Sequence, residues 1–139
     1  VATYTIPAGT PAGAYTYTAV FAATNDVQGS TSAGVAFTVR KASSFTVLVT
    51  SSSIQVRGRT PATLTAFVGL NTAAVAGGSV TFREGNRVLA TVPVTDGRAS
   101  LTLPGNLSLG RHRFVATYSG NASINRSTSN PVTVFVVRR

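Results

Sequence analysis

An all-β fold of two packed sheets is what this sequence predicts, and three observations predict it. Thr, Val, Ala, Ser and Gly dominate the 139 residues, strand and turn formers in a chain without Met, Trp or Cys. From Phe45 onward apolar residues recur at every second position, the period of a half-buried strand, and no useful length holds a helical period. Turn signals interrupt this alternation every ~8–15 residues, the spacing of sandwich strands.

Seven strands follow in order. Phe45, Val47 and Val49 alternate with Thr46, Leu48 and Thr50, and the serines at 51–53 break the pattern. Leu64, Ala66 and Val68 mark a second strand; Val80 and Phe82 mark a third, with Thr81 and Arg83 facing outward. Gly85-Asn86 is a hairpin signal that returns the chain along Val88 to Val94. Asp96-Gly97 suits a type I′ turn, whose central residues both need positive φ, and it leads into Ala99, Leu101 and Leu103. His112, Phe114, Ala116 and Tyr118 alternate in the sixth strand, and Val132, Val134 and Val136 in the last. Together these predict an immunoglobulin-like β-sandwich of about seven strands. Its expected core is Val47, Leu64, Ala66, Val80, Phe82, Leu101, Phe114, Ala116, Tyr118, Val132 and Val134.

Residues 1–39 recur as residues 98–136, at an offset of 97 and without a gap. Ala2 pairs with Ala99, Pro7 with Pro104, Gly13 with Gly110, and Ser30-Thr31-Ser32 with Ser127-Thr128-Ser129. Ten of the 39 pairs are identical, against ~4 expected from the composition alone, and a period near 100 residues is one sandwich rather than a solenoid turn. The chain therefore reads as the C-terminal three strands of a preceding repeat (1–39), a linker (40–44) and a complete domain (45–137). The three early strands are expected at Ala2 to Ile6, Tyr15 to Ala23 and Val35 to Val39. Alone they would expose Tyr17, Ala19, Phe21, Val35, Phe37 and Val39, so upstream sequence or a strand-donating chain is expected to complete them.

Gly78-Ser79-Val80-Thr81-Phe82, Leu109-Gly110-Arg111-His112, Ala116-Thr117-Tyr118-Ser119-Gly120-Asn121 and Ser127-Thr128-Ser129 together resemble the bacterial Ig-like repeat family. The resemblance covers about 42–137 in full. In the first copy the Ala-Thr-Tyr-Ser-Gly signature is eroded to Ala19-Val20-Phe21-Ala22-Ala23. It implies an extracellular or cell-surface stalk, spacer or adhesive module, with neighbouring repeats as partners and no enzymatic site in the repeat itself.

The residues agree that catalysis is not expected. His112 is the one histidine and lies on the inward phase, and the three acids, Asp26, Glu84 and Asp96, are scattered. A triad would need one of them, and a serine, beside the imidazole. No Cys/His or carboxylate cluster offers a metal site, no cofactor is implied, and the lone Lys41 falls in the linker, where no intradomain isopeptide bond can form. No apolar run approaches the ~20 residues of a membrane helix, so no membrane insertion is expected.

Charge carries the one binding hypothesis. The net charge is +9, with eleven arginines against a single lysine. Strand phase places Arg83, Arg111 and Arg113 outward on neighbouring strands, with Arg87 just past the hairpin. Four guanidinium groups on one face would clamp carboxylate, sulfate or phosphate, making anionic polysaccharide or cell-wall polymer the expected ligand. Specific nucleic-acid binding is not expected, because no outward aromatic ladder interleaves with them. The functional readings are thus a non-catalytic spacer, an anion-binding module, and an accessory module of a secreted enzyme.

Overall fold

The computed structural model describes residues 1–71 and 73–139. They form two compact units, Val1–Lys41 and Ala42–Arg139. No helix occurs among the described residues.

The first unit holds β1 (Gly13–Tyr17), β2 (Val20–Phe21), β3 (Ser30–Thr31) and β4 (Val35–Val39). β1 pairs antiparallel with β4, and β2 with β3. The expected strand at Ala2 to Ile6 is absent, and that at Tyr15 to Ala23 is interrupted at Thr18 and Ala19. No residue of this unit is buried. Its apolar side chains instead form an open aromatic face, with Tyr4, Tyr15, Tyr17 and Phe37 packed at centroid spacings of 6.0–6.3 Å.

The second unit is a sandwich. Its strands are β5 (Phe45–Thr50), β6 (Ile54–Val56), β7 (Thr63–Gly69), β8 (Ser79–Glu84), β9 (Arg87–Pro93), β10 (Arg98–Thr102), β11 (Gly110–Tyr118), β12 (Ser127–Thr128) and β13 (Val132–Val137). One sheet has the order β10-β7-β5; the other has β6-β13-β11-β8-β9, with β12 also on β11. The chain starts in the smaller sheet and crosses to the larger at Ser51–Ser53. The crossing is held locally: Ser52 Oγ donates to the Ile54 carbonyl (2.6 Å), and Ser51 Oγ accepts from the Thr63 amide (2.9 Å). β6 then runs parallel to β13, the one parallel pair of named strands among the described residues. Both β6 and β12 are too short to show a period, and each is held by its neighbour's backbone rather than by its own pattern.

Leu48, Leu64, Ala66, Val80, Phe82, Phe114, Ala116, Tyr118 and Val134 form the centre of the core, and Leu101 and Val132 pack half-buried at its margin. The first strand departs from expectation. Val47 is 42% exposed and Leu48 only 1%, so β5 presents its even-numbered residues inward. Both phases of Phe45–Thr50 carry apolar residues, and polar pairing decides between them. The Asn130 side chain accepts from the Leu48 amide (3.1 Å) and donates to the Leu48 carbonyl (3.0 Å), standing in for a strand partner. Thr46 Oγ1 lies 2.7 Å from Ser127 Oγ, facing the other sheet. The displaced apolar residues make an outer stripe in which Val47 opposes Phe67 and the Arg98 guanidinium covers the Phe67 ring at 5.3 Å.

Ala42 and Ser44 belong to this sandwich rather than to a linker. Ala42 exchanges backbone bonds with Ser123 (2.9 Å) and Asn125 (2.8 Å), and Ser44 Oγ donates to the Asn125 carbonyl (2.7 Å).

Candidate functional site

β8 and β11 pair antiparallel, with Val115 opposite Arg83 and Phe114 opposite Glu84. Phe114 is buried, so its partner Glu84 shares the inward phase while Arg83, Arg111 and Arg113 share the outward one. All three are exposed, and no carboxylate lies within ion-pair distance of them among the described residues. Arg111 stands directly opposite Phe135, which in turn opposes Ile54; both of these apolar side chains are exposed. The outer face of the larger sheet thus joins three unpaired guanidinium groups to a short apolar strip.

Arg87 is not part of this face. The two-residue turn Gly85-Asn86 pairs Glu84 with Arg87, and paired residues point the same way. Arg87 therefore lines an inward cleft of about 400 Å³ at the end of the sandwich, with Glu84, Asn106, Ser108 and His112. Strand phase gave the other three arginines their face; the hairpin register removes the fourth.

The same cleft overturns the expectation that no acid or serine reaches His112. Its Nδ1 lies 2.5 Å from Glu84 Oε1, and its Nε2 lies 2.9 Å from the Ser108 carbonyl and 3.3 Å from the Ser108 hydroxyl. Ser, His and Glu do converge, yet the chemistry differs from a triad. A carbonyl oxygen only accepts, so Nε2 carries the proton in that bond and is not a base toward the hydroxyl. The first unit shows what the arrangement is for. At the matching position Tyr15 donates its hydroxyl to the Pro11 carbonyl at 2.7 Å, again four residues upstream. An aromatic donor tying the start of the strand to the loop before it is a tyrosine-corner device, here served once by Tyr and once by His.

Gln55 is a site that sequence reading missed. It is buried on the short β6, where its side chain donates to the Pro104 carbonyl (2.9 Å) and accepts from the Ala62 amide (3.0 Å). Both ends of the amide are satisfied, so it closes the bottom of the sandwich.

The model of the bacterial Ig-like domain (group 3) matches residues 47–137, and the chain belongs to that family. Domains of this kind are typically non-catalytic structural modules. The extracellular region of rat CD45, domains d3–d4, is similar at 11% identity and a TM-score of 0.44, over 96% of this chain and 70% of that one. No curated protein matches.

Proposed function

We propose that this chain is a non-catalytic spacer from a tandem array on an extracellular or cell-surface protein. The carrying observation is that the sequence repeat is also a hydrogen-bond repeat. Gly13 faces Val39 and Tyr17 faces Val35 in the first unit, as Gly110 faces Val136 and Phe114 faces Val132 in the second. Ser32 Oγ accepts from the Ala19 amide at 2.8 Å, and Ser129 Oγ from the Ala116 amide at 2.9 Å. A unit copied at this level of detail is the currency of arrays whose length is set by copy number. The parallel β6–β13 pair suits the role, since it joins an early strand to the last and places their backbone bonds in shear under end-to-end load. Small-angle scattering from concatemers of two, three and four copies of residues 42–138 tests this. A constant increment in maximum dimension per copy is expected; collapse into a compact particle would refute it.

The arginine face supports a second reading, in which the module also holds an anionic polysaccharide. Three guanidinium groups without internal partners supply the charge, and Phe135 and Ile54 supply a surface for sugar rings. Retention on heparin above about 0.3 M salt, lost when Arg83, Arg111 and Arg113 become Ser, is the expected result. Unchanged retention would reduce the effect to net charge.

A further inference from the structure

We infer that the open face of the first unit is a binding surface for the N-terminal half of another copy of the same repeat, strands of the β5, β7 and β8 type. This inference rests on the tandem reading and identifies the contacts that complete it.

In the second unit, Tyr118, Phe114, Ala116 and Val134 are fully buried, with β5 and β7 in the facing sheet and β8 alongside β11 in their own. Their counterparts in the first unit are Phe21, Tyr17, Ala19 and Phe37. Phe21 is 48% exposed where Tyr118 is 0%, and none of the four is buried. Tyr17, Ala19 and Phe37 line a groove of about 780 Å³ together with Tyr4, Ile6, Val20 and Val35. The groove has the composition of a sandwich interior laid open.

Three further observations say what fills it. β11 lies between β13 and β8, whereas β1 pairs only with β4, leaving one edge of backbone donors and acceptors unpaired. Residues 1–12 form no strand, although their counterparts include β10. β10 is held by β7, and a lone strand without such a neighbour has no ladder to join. The retained triplet Ser30-Thr31-Ser32 is the most specific sign. Ser32 and Ser129 make the same local bonds in both units. Ser127 bonds to Ser44 at 2.8 Å and Thr46 at 2.7 Å, reaching across to β5. Its counterpart Ser30 is exposed and bonds to no side chain among the described residues. The first unit thus keeps a hydroxyl whose only role in the complete module is to meet a β5-type strand.

The register of the docked strands follows. Phe114, Ala116 and Tyr118 face Glu84, Phe82 and Val80. Tyr17, Ala19 and Phe21 should therefore face a glutamate, a phenylalanine and a valine in the same places of the incoming strand.

The test is a chain in which a duplicate of residues 42–97 is joined directly ahead of Val1 of the full sequence, which restores the 97-residue register. Hydrogen exchange and acrylamide quenching of tyrosine fluorescence are read before and after. Protection of amides in Gly13–Tyr17 and Val35–Val39 rising at least 100-fold, with Tyr4, Tyr15 and Tyr17 shielded, is the expected result. A second chain carries Val80→Asp and Phe82→Asp in the duplicate alone; it should show no gain. Unchanged exchange in the first chain, or equal protection in both, would overturn the inference. Scattering from concatemers of the complete module is indifferent to either failure, so the spacer reading stands or falls separately.

Discussion

Tyr15 and His112 stand at matching positions of the 97-residue sequence repeat and make the same bond. Each donates to the carbonyl four residues upstream, at 2.7 Å from Tyr15 to Pro11 and 2.9 Å from His112 to Ser108. The comparison turns a constellation that looks catalytic into a fastening. Replacing His112 with Tyr should therefore be tolerated, within about 1 kcal/mol, whereas His112→Ala should cost roughly 2–4 kcal/mol by removing the corner bond and leaving a cavity. Thermal melts of the two variants check this; equal losses would mean that the Glu84 contact, not the corner, is what matters.

The phase of β5 is tested by a pair of neighbours. Leu48→Ala should cost about 2–5 kcal/mol, and Val47→Ala less than about 1 kcal/mol. Phe82→Ala and Phe114→Ala should each cost about 3–5 kcal/mol, comparable with the whole stability of such a domain. Chemical denaturation measures all four, and a larger loss for Val47 than for Leu48 would reverse the strand.

Gly78 has φ +77°, and a Cβ there would lie 2.5 Å from Cε2 of the buried Tyr118 ring. Gly78→Ala should destabilise the module by about 2–4 kcal/mol through backbone strain and overpacking together. In a Tyr118→Leu background the increment should fall, because the ring is part of the clash. A double-mutant cycle without coupling would show the strain to be in the backbone alone.

Burial pushes the Tyr118 phenol above the usual tyrosine range. The unfolded chain then releases this proton first, so stability is full below a pH of about 10 and falls as pH rises through the folded value. Tyr118→Phe should flatten that alkaline loss. The other three tyrosines, Tyr4, Tyr15 and Tyr17, are common to both proteins. Melting temperatures between pH 8 and about 11.5 decide it, and parallel curves would assign the loss elsewhere.

Much of the second unit was legible because long alternating strands such as β7, β8 and β11 advertise their buried face at every second residue. Legibility failed where pattern is not the deciding force. Val47 and Leu48 are both apolar, and the choice between them rests on Asn130 and Ser127, more than 80 residues away. β6 spans three residues, and its Gln55 looks like a surface residue until its two partners converge. Ala2 to Ile6 alternates as a strand should, yet it pairs with no strand among the described residues, and alternation alone does not supply a ladder. Of the arginines, Arg83, Arg111 and Arg113 follow from phase alone, while Arg87 depends on the hairpin register, which no local pattern reports.

The spacer account is tested most directly by pulling the module between Ala42 and Arg139 in a single-molecule experiment on the full chain. The amide of Phe135 donates to Ser53 (2.8 Å) and that of Arg57 to Val137 (3.0 Å), so load meets the β6–β13 bonds in shear. One cooperative rupture releasing the whole module is expected, at a force lowered by Phe135→Pro, which removes the donor to Ser53. A chain that extends gradually without a rupture peak, or a Phe135→Pro variant that ruptures at the unaltered force, would contradict the account.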